Sequence, residues 1–344
     1  MTESTLSRPA YLPWVDLTRI LAIFFVIVVH VSYQLVFKWG QIPFDWWMLG
    51  NIVDGASRTA VSLFFMISGY LNLIHPMPWK EYFKKRLPRV LILLVTWSLI
   101  HMFLLAYTGQ REYTLVSAFE AILSGTVYDH LWFMYSLFGF YLITPVFWKL
   151  IEIDRKAVWY FLLLWVIFEP FASLVERFAG FHFGVFLPQA TGYFGYYVLG
   201  YLLATREFTR KQSWLGLGAW LLASLFIILS VWGLTAYAGQ VDVTAYNING
   251  FPVLIGAVGL FIFIKSIQFD HPLIRLLGTT TTGIYLMHYI IIDLVKRGLL
   301  GVKLSAFHPN PYIGVPATVL VVFLLSALIT WILLHIPVLR RTVS

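Results

Sequence analysis

Apolar runs dominate this chain, and short polar, basic or proline-bearing stretches interrupt them. Ten runs are long enough to cross a bilayer: 15–37, 52–74, 88–107, 131–148, 157–175, 185–204, 214–234, 251–267, 281–298 and 313–336. At the helical rise per residue, about 20 apolar residues span the hydrocarbon core. The fourth and fifth runs are the least separated, and polar residues, Thr279 to Gly283, interrupt the ninth at its start. The longest stretch outside the runs is 108–130, whose segment Leu115 to Leu123 is amphipathic and predicts a helix on the outer surface. The loop 235–250 carries Asp242, Asn247 and Asn249 but no basic residue, and reads as an ordinary solvated connection. No internal repeat is evident. The pattern predicts an all-α polytopic bundle of about ten transmembrane helices, one membrane domain over residues 1–344.

Composition agrees. Of the 344 residues, 60% are hydrophobic and 12% charged, and the mean hydropathy is +0.80. No soluble domain of this length is so apolar. The absence of cysteine removes disulfides, thiolate catalysis and Cys-ligated metal centres. The net charge of +8 fits positive-inside loops and anionic headgroups better than nucleic acid. With the N-terminus inside, 17 of the 24 Lys and Arg residues, Arg8 among them, fall on cytoplasmic segments and 7 on the other side. That bias predicts both termini on the cytoplasmic face. The cluster Lys296, Arg297 and Lys303 is the exception. The first run is long enough to span, and no cleavable signal pattern precedes it.

Ionisable residues inside membrane runs are costly and default to a functional reading. Arg19 and His30 are eleven residues apart, about 20° past three full helical turns, so both project from one face, separated by roughly 16 Å of rise. A ligand with a charged head and a long thin arm, such as a phosphopantetheine, spans that distance. Asp16 lies one turn before Arg19 and can orient it. The blander readings are a snorkelling arginine and a hydrogen-bonded core histidine. Lys85, Arg86 and Arg89 open the third run; Arg86 and Arg89 share a face, and guanidinium forks suit phosphate oxygens. Simple positive-inside anchoring is the alternative. Asp54 and Arg58 form a candidate i, i+4 pair, either fixing a helix end or touching substrate. Ser68-Gly69 permits close helix approach. His130 and Trp132 open the fourth run, as interfacial belt residues or as the polar and aromatic parts of a sugar site. Glu169, His288 and Asp293 are candidates for a second interior polar cluster. No His-Glu-x-x-His, phosphate-binding Gly-rich loop or nucleophile elbow occurs, and no histidine spacing suggests a metal.

Together, Arg19-x10-His30, Ser57-Arg58 followed by Leu63-Phe64-Phe65-Met66-Ile67-Ser68-Gly69-Tyr70-Leu71, Arg86-x-x-Arg89, His130-Leu131-Trp132-Phe133 and Gly283-Ile284-Tyr285-Leu286-Met287-His288 resemble the integral-membrane acyltransferase-3 family over nearly the whole chain. Two departures, Ile20 for a common glycine and Ser62 for a common proline, bear on helix shape rather than on a chemical group. The resemblance implies ten spans, acetyl-CoA as acyl donor, no metal, and a glycan or lipid-linked saccharide acceptor at the periplasmic side of a bacterial inner membrane. It implies that His30 is the essential histidine, that Arg19 is its paired arginine, and that Arg86 and Arg89 serve the acyl-CoA. No extracytoplasmic esterase-like domain of the kind fused to some relatives is expected, so direct delivery to the acceptor is expected as well.

On this reading His30 is the general base on a sugar hydroxyl, with a transient acyl-histidine as a second mechanism. Arg58 or Tyr285 supplies the oxyanion donor, and His130, Trp132 and His288 stand on the acceptor side. The competing class is a glycan or organic-anion transporter or flippase, which buried His and Arg also fit. The missing two-fold repeat argues against it. Retention of every donor-side motif argues against an inactive scaffold.

Overall fold

The computed structural model describes residues 11–180 and 192–344. Arg8, and the 185–191 portion of the expected sixth span, lie outside the described residues. The described fold is all-helical, with no strand. In chain order, α1 (Pro13–Val36) is followed by α2 (Phe44–Ser57) and α3 (Ala60–Leu73), then α4 (Trp79–Tyr107), the short α5 (Leu115–Ser124) and α6 (Trp132–Ile153). Next come α7 (Arg155–Val166), α8 (Ala172–Ala179), α9 (Phe194–Ala204) and α10 (Arg210–Ala238). The chain closes with α11 (Phe251–Lys265), α12 (Pro272–Lys296) and α13 (Pro311–His335).

Among the described residues, seven helical stretches are long and apolar enough to cross a membrane: Pro13–Val36, Trp79–Tyr107, Asp129–Ile153, Arg155–Ala179, Arg210–Ala238, Thr244–Lys265 and Pro311–His335. The other three expected spans differ in form. The second is two helices, α2 and α3, broken at Arg58 and Thr59. The sixth is described only from Gly192 onward, where it forms α9 (Phe194–Ala204). The ninth, α12, starts earlier than the apolar pattern suggests and runs unbroken through its polar stretch. There Thr280 and Thr281 donate to the carbonyls of Leu277 and Gly278, so hydroxyls that looked like an interruption are satisfied inside the helix. The fifth span is continuous from α7 to α8 through a π-turn over Ile167–Phe171, where Pro170 removes a backbone donor.

Close helix contacts lock the bundle. A Cβ on Gly69 would lie 1.7 Å from the Tyr197 carbonyl oxygen, and one on Gly200 would lie 2.0 Å from that of Met66. Gly69 and Gly200 therefore let α3 and α9 pack backbone to backbone, the role expected of Ser68-Gly69. Gly216 and Gly259 do the same for α10 and α11, whereas Gly218 faces open space. Helix α1 runs parallel to α12: Asp16 abuts Gly278, and further along His30 meets Tyr289. Since α13 returns antiparallel to α12, with Gly283 against Thr330, the start of α1 and the end of α13 share one end of the bundle. That end carries Arg19, Arg86 and Arg89 and is called the basic end below.

Helix α5 turns a stripe outward: Leu115, Val116, Phe119 and Leu123 are exposed, the surface helix its amphipathic pattern predicts. Thr114 and Ser117 close its N-terminus as a capping box.

Candidate active site

Two pockets lie end to end in the bundle. The basic-end pocket, about 290 Å³, is lined by Arg19, Arg86 and Arg89 together with Ser68, Asn72 and Tyr141. Arginines from the start of α1 and the start of α4 thus converge, although the sequence separates them by some 70 positions. Asp16 pairs with Arg19 at 3.5 Å and also accepts from the Tyr11 hydroxyl at 3.0 Å, so it orients Arg19 as expected. The buried Nε of Arg86 has no hydrogen-bond partner among the described residues. A buried guanidinium donor left unpaired fits an anion such as a phosphate. Lys85 is exposed and does not line this pocket.

The second pocket, about 220 Å³, is lined by His30, Ser57, Arg58, His130, Trp132 and Ile248. Phe64, Phe133 and Tyr285 border both pockets. Their rings touch: the Phe64 and Phe133 centroids are 5.8 Å apart and those of Phe133 and Tyr285 5.3 Å. They form an aromatic wall between an arginine-lined chamber and a histidine-lined one. Arg19 and His30, predicted to share a face of α1, open into opposite sides of this wall.

The break between α2 and α3 places Arg58. Arg58 stands where α2 ends at Ser57 and α3 restarts at Ala60. Asp54 pairs with Arg58 and accepts from the Ser32 hydroxyl at 3.3 Å. Tyr246 lies under the guanidinium at 3.8 Å. Asp54 is fully buried and does not line the pocket, so it holds Arg58 rather than meeting a ligand. Arg58 keeps a buried Nε with no hydrogen-bond partner among the described residues.

The histidines form one cluster. His30 Nδ1 is 3.0 Å from the Tyr289 hydroxyl, and its ring lies 5.3 Å from that of His288. His130 packs on His288 at 5.2 Å and on His101 at 4.9 Å. Neither ring nitrogen of His130 has a hydrogen-bond partner among the described residues. Tyr285 donates to the His130 carbonyl, and His288 Nδ1 is 2.6 Å from the Tyr285 carbonyl. His288 is fully buried and stands behind His30 and His130 rather than at the pocket surface. Its expected companions are elsewhere. Asp293 pairs with Arg297 at 2.7 Å on the exposed side, and Glu169 accepts from Asn249 at 2.8 Å. No group of three or more His, Cys, Asp or Glu side chains arranged to hold a metal ion occurs among the described residues.

The 235–250 connection is not the free solvated loop its composition suggests. Tyr246 packs under Arg58 and donates to Asn51 at 2.6 Å. Ile248 lines the second pocket and accepts from the Tyr196 hydroxyl. Asp242 pairs with Arg177 at 2.7 Å. Partial burial works against that carboxylate, but Thr244 and Arg177 hold it below its ordinary range. The loop roofs the pocket. Its missing basic residues disguised it, because its contacts are made by Tyr, Ile and Asn. Tyr246, Ile248, Asn51, His101 and Tyr289 are the site residues that sequence patterning missed.

The described helices thus form a membrane bundle in which an arginine-lined pocket backs onto a histidine-lined one. The family model of the acyltransferase domain (acyltransferase-3) matches residues 12–335, and the chain belongs to that family. No curated protein matches it, and no solved structure does.

Proposed function

We propose that this membrane acyltransferase moves an acetyl group from cytoplasmic acetyl-CoA to a sugar hydroxyl of a cell-envelope polysaccharide or lipid-linked glycan. The observation that carries the proposal is the pair of pockets meeting at Phe64, Phe133 and Tyr285, with three arginines on one side and His30 on the other. The basic end is cytoplasmic by the positive-inside bias. Arg86, Arg89 and Arg19 hold the phosphates of CoA, which puts the pantetheine arm along the pocket and the thioester at the aromatic wall.

His30 takes the proton of the acceptor hydroxyl as that oxygen attacks the thioester carbonyl. The tetrahedral oxyanion is met by Arg58, whose guanidinium lines the pocket and keeps an unpartnered Nε. Tyr285 is the poorer donor, since its hydroxyl is already given to the His130 carbonyl. The C–S bond then breaks, and the imidazolium returns the proton to the thiolate, leaving the O-acetyl ester and free CoA. Trp132 offers an aromatic face and His130 a polar edge to the sugar. An N-acetylglucosamine-type acceptor in the periplasm of a bacterial inner membrane is favoured. That preference rests on the resemblance of the motif set to the stand-alone family members that O-acetylate N-acetylglucosamine residues of enterobacterial common antigen.

The test is acetyl-CoA turnover by the purified protein in liposomes beside His30→Ala, reading CoA release and acetyl incorporation into an N-acetylglucosamine-containing acceptor. Loss of both in the variant supports the assignment. Full activity in His30→Ala would sink the role of the histidine. No release with any acceptor, and no acetyl-CoA binding, would move the protein to the transporter class.

A further inference from the structure

A histidine base needs a partner on its other ring nitrogen to fix the tautomer, and in most hydrolytic and transferase sites that partner is a carboxylate. Among the described residues no carboxylate is hydrogen-bonded to His30. Asp129 bears on Tyr289 only through its charge, and other carboxylates of the membrane helices are committed elsewhere. Asp54 is held by Arg58 and Ser32, Asp16 by Arg19 and Tyr11, and Asp293 by Arg297. The group that does meet His30 is the Tyr289 hydroxyl, 3.0 Å from Nδ1. Resting on the acyl-transfer reading above, we propose that Tyr289 is the positioning residue of this site: its oxygen accepts from Nδ1–H of His30 and leaves Nε2 unprotonated as the base.

The placement of Tyr289 is over-determined. Tyr285, His288 and Tyr289 follow at i, i+3 and i+4 on α12 and therefore share a face. The Tyr289 ring stacks on His130 at 4.9 Å and 26°, meets His30 at 4.5 Å, and takes the edge of Tyr128 at 5.2 Å. One tyrosine thus touches both the base on α1 and the acceptor-side histidine before α6. It sets their relative position with its ring and the tautomer of the base with its oxygen. These two duties are separable, because Tyr289→Phe keeps the ring and removes only the oxygen.

The experiment compares wild type, Tyr289→Phe and His30→Ala in liposomes, with thermal unfolding of each. It adds solid-state nitrogen-15 spectra of histidine-labelled wild type, in which the His30 signal among the nine histidines is identified by its loss in His30→Ala. Tyr289→Phe is expected to lower kcat by roughly tenfold to a hundredfold, up to the lower end of what a general acid or base itself contributes. The KM for acetyl-CoA and the melting temperature stay as in wild type. The His30 spectrum of wild type is expected to show the proton on Nδ1. Wild-type kcat in Tyr289→Phe, or a His30 proton found on Nε2, overturns the inference; the spectrum decides even if the variant does not fold. If His30→Ala is itself fully active, the acyl-transfer role of His30 has failed rather than the role of Tyr289.

Discussion

At the scale of single residues, the polar atoms left without partners are the most telling. Arg86 and Arg58 each bury a guanidinium nitrogen that no described residue satisfies, on opposite sides of the wall. Charge-assisted hydrogen bonds contribute about 1.5–3 kcal/mol each, which corresponds to roughly tenfold to a hundredfold in affinity. Arg86→Ala is therefore expected to raise the KM for acetyl-CoA by about that factor with little change in kcat. Arg58→Ala is expected to lower kcat while leaving that KM nearly unchanged. Initial-rate kinetics at several acetyl-CoA concentrations separate the two, and a fall in kcat alone for Arg86→Ala would contradict its place on the donor side. These arginines, with Arg19, His30 and His130, were legible because a charge or an imidazole stands out in an apolar run. Tyr289 and Tyr246 were not. The chain has 19 tyrosines, tyrosine is common wherever a helix meets a membrane interface, and only the fold shows which hydroxyl meets which partner.

At the scale of elements, the site depends on a break and a close contact. The break between α2 and α3 needs Asp54 to hold Arg58. Removing one member of a buried pair typically costs about 3–5 kcal/mol, because the other charge is left uncompensated. Asp54→Ala and Arg58→Ala are both expected to lower the melting temperature in detergent and to depress turnover, since each leaves the other charge of a buried pair uncompensated. The close contact lies between α3 and α9. A methyl at Gly69 has only the Tyr197 backbone to push against, and backbone cannot swing aside as a long side chain does. Gly69→Ala is expected to cost at least the 1–3 kcal/mol or so typical of overpacking, read as reduced melting temperature and yield. Gly218→Ala, facing open space, should leave both unchanged. The small-residue pair in α3 signalled packing from sequence, but not its partner. The second span read as one helix because nothing in an apolar run marks where its axis breaks; Arg58 and Thr59 were simply two polar residues inside it. The threonines of α12 misled in the other direction, since side-chain hydroxyls bonded back to the helix look the same in sequence as a true interruption.

At the scale of the whole molecule, the arrangement is two chambers on either side of a wall made by three helices: Phe64 from α3, Phe133 from α6 and Tyr285 from α12. The basic bias and the depth of the motifs lead to the expectation that Arg86 and Arg89 lie at the opposite end from His130 and Trp132, and the two sets line separate pockets. That expectation did not include the wall, because Phe64 and Phe133 look like ordinary core aromatics among 29 phenylalanines. The wall has a consequence for specificity. If the thioester carbonyl must reach His30 from the arginine chamber, the acyl chain lies where these rings close together, with about 220 Å³ beyond them to share with the attacking sugar. Each additional methylene then meets aromatic carbon, and a pocket wall discriminates one methylene by roughly tenfold or more. Phe133→Ala opens the wall without touching a proposed chemical group. Its ratio of kcat/KM for butyryl-CoA over acetyl-CoA is expected to rise at least about tenfold over wild type, measured by CoA release with the same acceptor. An active Phe133→Ala with an unchanged ratio would mean that the acyl group reaches His30 by another route. The chambers would then be neighbours without being consecutive.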